Sequence, residues 1–163
     1  MLNLLARTAM LAVMFVIMMA TGYSFSVVET ATGGSLLDTM MNSADAAARL
    51  AEMTAEQKSV HLRATLVNDT VYPLAYGGLF AGLIWRFAGS LRRWFVVPPV
   101  AVIVVDLVEN LVQAMALAGN DSLLALKDVL TPAKFGLFLL AAILVLFSLG
   151  SALFRRGRSP ASS

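Results

Sequence analysis

Two carboxylates, Asp106 and Glu109, stand in the stretch 104–117, where nearly every other residue is Val, Leu, Ala or Met. An ionised side chain at bilayer depth costs about 2.5 to 3.5 kcal/mol on insertion scales, so such groups face a helix bundle, a partner or water. Asp106, Glu109, Asn110 and Gln113 follow the i, i+3, i+4, i+7 spacing that lines one stripe of a helix. Asp69, Tyr72, Pro73 and Tyr76 repeat that spacing upstream, and Thr131 and Lys134 lie one turn apart downstream. With Asp69 at the rim, Asp106 and Glu109 outnumber Lys134, which predicts a proton shared among them near neutral pH. A hard cation on the oxygens of Asp69, Asp106, Glu109 and Asn110 is the alternative neutraliser. No spacing is diagnostic of a metal site, and no cofactor motif is present. His61, the single histidine, reads as a surface residue because no second histidine or cysteine accompanies it.

The elements that must carry these stripes are membrane helices. Of 163 residues, 59% are hydrophobic and 13% charged, against about 25% charged in soluble domains. Apolar runs near the ~20 residues needed to cross a bilayer place spans at about 8–28, 70–88, 94–118 and 131–154. The expected fold is all-α: a single domain, 1–163, forming a four-helix transmembrane bundle with an extracytoplasmic helical loop, 29–69, between the first two spans. The first span reads as a retained anchor, with a cleaved signal as the alternative, since no clean Ala-x-Ala site follows. Thr54-Ala55-Glu56-Gln57 has the form of a capping box, so a helix starts there and runs on into the second span. Within the loop, Leu36, Leu37, Met40 and Met41 form a short amphipathic patch, and 44–53 is rich in helix formers. Gly77, Gly78 and Gly82 permit close helix approach. The segment 123–130, with Lys127 and Asp128, reads as a connector, and Pro132 as the first position of the fourth span. Absence of cysteine excludes disulfides and thiolate chemistry, and nothing resembles a nucleic-acid surface.

Positive charge is unequally spread. Arg7, Arg86, Arg92, Arg93, Arg155, Arg156 and Arg158 flank one side. Arg49, Lys58, Arg63 and Lys127, diluted by seven acidic residues (Glu29, Asp38, Asp45, Glu52, Glu56, Asp121 and Asp128), fall on the other. The positive-inside rule then puts both termini in the cytoplasm of a multi-pass inner-membrane protein. At about 1.5 Å rise per residue, the polar stripes of the last three spans meet in the outer half of the bundle.

The order Asp69-x-x-Tyr72-Pro73-x-x-Tyr76, Asp106-x-x-Glu109-Asn110 and Thr131-x-x-Lys134 resembles a family of small four-span integral membrane proteins of bacteria and some other microbes. The likeness covers roughly 54–146 and departs in the lead-in, which has fewer aromatics and glycines. The resemblance implies a shared polar site in a four-helix fold and no particular chemistry. Three functions fit the residues: an intramembrane site for a proton, cation or small polar ligand; a structural or partner-binding protein whose buried charges lock the helices; and a lipid-headgroup enzyme using Asp106 and Glu109 as acid and base. The last has no nucleophile to support it, so enzymatic activity is not expected. The lipid bilayer is the expected surrounding, with a homo-oligomer or another membrane protein as candidate partners and no nucleic acid.

Overall fold

The computed structural model describes residues 1–157, so Arg158 lies outside the described residues. The described chain is helical, without strands. A first turn, α1 (Leu2–Leu5), precedes α2 (Thr8–Thr32), which ends where Gly33 takes φ 72° and its N–H, with that of Gly34, reaches back to Thr30 and Glu29 carbonyls. Glycine is needed there because a left-handed residue closes the helix. A 3-10 turn at Leu37–Thr39 and α3 (Ser43–Glu52) form the loop before α4 (Ala55–Phe87). A tight connection containing α5 (Arg92–Phe95) leads to α6 (Val97–Leu117), and a 3-10 turn at Leu124–Leu126 leads to α7 (Lys127–Gly157).

The α4 start is a full capping box: the Thr54 hydroxyl accepts from the Gln57 N–H at 3.2 Å, and Gln57 Oε1 accepts from the Thr54 N–H at 2.9 Å. The helix then runs without interruption to Phe87, with Pro73 inside it. Among the described residues three segments are long and apolar enough to cross a membrane: Thr8–Thr32, Gly89–Leu117 and Leu124–Arg155. The expected second span, 70–88, is absent from that set. Its tyrosines, glycines and Arg86 dilute its hydropathy, and α4 holds the inner position, touching α2, α6 and α7. A helix covered by its neighbours has less need of an apolar surface, whereas Val104, Val108 and Leu111 of α6 and Leu139, Ile143 and Leu146 of α7 stay exposed.

The last helix corrects the sequence reading. It begins at Lys127, with Pro132 in its interior, because the 3-10 turn before it delivers Lys127 directly into helical geometry. Small residues set the closest approaches elsewhere: a Cβ on Gly82 would lie 2.6 Å from the Leu5 carbonyl oxygen, and one on Gly77 would run into Ile103.

The loop folds back onto the helix ends. Leu36 and Leu37 are buried and Met41 is exposed. Leu37, Ala46, Leu50 and Met53 pack with Ala116, Leu117 and Leu124 into one apolar cluster. Asp128, in the first turn of α7, accepts from the Ser43 N–H at 2.6 Å and from the Ser43 hydroxyl at 3.0 Å. Arg49 donates to the Thr32 carbonyl at 2.8 Å, pinning α3 to the end of α2.

Candidate functional site

The polar stripe of α6 is turned inward. Asp106, Asn110, Glu109 and Gln113 are all buried, the last two with no exposed surface. Facing them, α7 presents Lys127, Thr131 and Lys134, which also follow the i, i+4, i+7 spacing of one helical stripe. Glu109 is the hub between the two helices. Its Oε1 lies 2.5 Å from Lys127 Nζ and accepts from the Thr131 hydroxyl at 2.5 Å, while Oε2 lies 2.8 Å from Lys134 Nζ. Lys134 in turn is 3.7 Å from Asp106 Oδ1 and pairs with Asp38 of the loop. Tyr76 of α4 donates its hydroxyl to Asp106 Oδ2 at 2.8 Å.

A second polar contact has its cause in Pro73. Proline has no N–H, so the carbonyl four residues before it loses its helical partner. That carbonyl belongs to Asp69, and Asn110 Nδ2 donates to it at 2.5 Å. The asparagine of α6 thereby satisfies the acceptor that Pro73 leaves without a helical partner, as neighbouring side chains do for interior prolines in membrane helices.

Beside the network lies a cavity of about 240 Å³. Its lining is charged at Asp38, Asp106 and Lys134 and aromatic at Tyr72, Tyr76, Phe135 and Phe138. The rings stack edge to face, Tyr72 on Tyr76 at 5.3 Å and Tyr76 on Phe138 at 5.0 Å between centroids. Of its lining residues, Asp38 is half-buried and Phe135 is exposed.

Of the nine residues singled out in the sequence, Tyr76, Asp106, Glu109, Thr131 and Lys134 form one connected network, and Tyr72 joins it through its ring. Asp69 and Asn110 form a separate pair, through the backbone of Asp69. Gln113 is buried with neither amide atom partnered among the described residues. Two participants were missed. Lys127 belongs to the segment that reads as a connector in the sequence, yet it lies in the first turn of α7 with no exposed surface, and its spacing to Thr131 and Lys134 is the signal for it. Asp38 comes from the loop, and no local pattern links it to Lys134, ninety-six positions away. The oxygens proposed for a cation also regroup: carboxylates of Asp38, Asp106 and Glu109 lie within 4.8 Å of one another, and the Lys134 ammonium sits against all three.

His61 is a further correction. It is fully buried, and Nε2 accepts from the Leu37 N–H at 3.4 Å. Burial, aided by the nearby Arg49 charge, pushes its pKa down to about 4, so it is held neutral as a structural acceptor under the loop.

No protein-family model matches the chain, and no curated protein or solved structure matches it either.

Proposed function

We propose that the chain is a four-span integral membrane protein of the inner membrane, with both termini cytoplasmic, whose cavity binds a small polar ligand reached from the extracytoplasmic side. The cavity carries this reading: it sets two carboxylates and an ammonium against four aromatic rings in a space bordered by the loop. Concave sites with an apolar lining and a few converging polar groups are the usual form of small-ligand sites. The second half of α4, 70–88, supplies the remaining span. The excess of arginine around 86–93 and after 154 supports the orientation, and burial of Lys127 removes one cation from the opposite side. The loop 29–69 then stands outside, with Asp38 as its contribution to the site. The resemblance carried by the three motifs implies a shared polar site in a four-helix fold.

A second reading has its own support. Glu109 is buried between two ammonium groups and a hydroxyl, an arrangement that fixes the register of α6 against α7 whatever else the site does. The lock and the ligand site share Lys134.

The chain has no cysteine, so single cysteines report access directly. In intact cells a membrane-impermeant maleimide should label Met41→Cys in the loop and Tyr72→Cys in the cavity wall, and label Trp94→Cys only after permeabilisation. Labelling of Trp94→Cys from outside would invert the topology. An inert Tyr72→Cys beside a reactive Met41→Cys would remove the outward-facing site.

A further inference from the structure

The geometry points to an organic monocation, an ammonium group carrying small alkyl substituents, as the ligand of the aromatic-walled cavity; this rests on the ligand-site reading above. Three observations converge on that chemistry.

The first is charge. Among the described residues the network holds the carboxylates of Asp38, Asp106 and Glu109 against the ammonium groups of Lys127 and Lys134. With these groups ionised, one negative charge is left over in a cluster buried at Asp106 and Glu109 and half-buried at Asp38, and an unpaired charge is costly where it is buried. The second is its location. Glu109 is enclosed by Lys127, Thr131 and Lys134 and does not line the cavity, whereas Asp106 and Asp38 do. Lys134 also lines it, but its ammonium already lies against three carboxylates, so it offers an incoming anion little unshared charge. The third is the aromatic lining. Tyr72, Tyr76, Phe135 and Phe138 line the cavity, the Lys134 ammonium already lies 5.3 Å from the Phe135 ring centroid, and aromatic cages recognise alkylated ammonium groups through the same attraction. A cavity of about 240 Å³ equals about eight water volumes in the liquid, the size of a choline-like headgroup or a free alkylamine.

Calorimetric titration of the purified full-length protein in an uncharged maltoside detergent tests the inference with three probes. These are choline, its neutral carbon isostere 3,3-dimethylbutan-1-ol, and acetate. Choline should bind at least about tenfold more tightly than either of the others. Asp106→Asn, which keeps an oxygen for the Tyr76 hydroxyl, should weaken choline binding by about the same factor. Asp38→Asn, in the loop, repeats the test outside the buried helix contacts, and thermal midpoints confirm that both variants are folded. Repeating the titration in phosphatidylcholine and phosphatidylglycerol nanodiscs separates the sources: competition by phosphatidylcholine identifies a lipid headgroup, and equal affinity in both identifies a dissolved amine. Isostere or acetate binding as tightly as choline overturns the cation inference while leaving a polar-ligand site. Unchanged choline affinity in both folded variants also overturns it. Failure of all three probes to bind overturns the cation inference and the ligand-site reading together.

Discussion

The two ends of the helix assembly are built on opposite principles. Towards the arginine-rich turn, α4, α7 and the connection between α4 and α6 meet through Ala81, Ile84, Ala88, Val96 and Val145, and polar contacts such as Trp85 Nε1 to Asn3 at 2.7 Å and Arg86 to Thr8 at 2.8 Å stay at the surface. Towards the loop, α4, α6 and α7 meet through Tyr76, Asp106, Glu109, Lys127, Thr131 and Lys134. The first end depends on shape, where contacts are non-directional and a neighbour can shift to absorb an error. The second depends on partners, where removal of one group strands another in a medium that cannot hydrate it. A site that must hold a charge beside a cavity belongs at the second end, because only there are side chains fixed by directional contacts.

The comparison is most easily broken at Lys127. Its replacement by Met fits the space approximately but removes one of the two ammonium groups on Glu109, and should destabilise the protein by about 3 to 5 kcal/mol, as loss of one partner from a buried pair does. Reversible unfolding in mixed micelles measures it; a cost below about 1 kcal/mol, the range of solvated pairs, would return Lys127 to the surface.

Asn110→Leu should cost about 1 to 3 kcal/mol by stranding the Asp69 carbonyl. Pro73→Ala, which restores the N–H four residues on, should recover part of that loss. Independent effects of the two changes would show that the proline and the asparagine are unrelated.

At the apolar end, Gly82→Ala should cost about 1 to 3 kcal/mol through its encounter with the Leu5 backbone and Leu11. It should leave choline binding unchanged, and a coupled loss of binding would erase the distinction between the two ends.

The smallest effect is one of pH. His61 precedes the apolar part of α4, and its folded pKa of about 4 lies below the model-compound value of 6.5. Between those values the unfolded chain binds the extra proton, so stability falls as pH drops from 6.5 to about 4. Comparison of thermal midpoints across that range for the wild type and His61→Gln should show a shallower fall in the variant; parallel profiles would contradict the buried neutral imidazole.

What the sequence made legible was periodic. The capping box at Thr54, the inward stripe from Asp106 to Gln113 and the close approach at Gly82 each follow from local spacing, and the structure carries all three. Helix type and apolar segments were readable because hydrophobic period and length declare them. The position of α4 was not, since a helix surrounded by others loses the apolar surface by which spans are recognised. Lys127 was hidden by the reading of Pro132 as a helix start, which cut the α7 stripe one turn short. Asp38 and His61 escaped for a different reason. Their environments are made by a loop folding back, and contacts between residues far apart in sequence leave no trace in spacing.

Charges from α6 and α7 are buried together and depend on one another. A double-mutant cycle on Glu109→Gln and Lys127→Met in the full-length protein measures that dependence directly. The double variant should be more stable than the sum of the two single losses predicts, by about 1 to 3 kcal/mol, because neither group is then left alone. Strict additivity would mean that the two side chains do not meet, and would contradict the account.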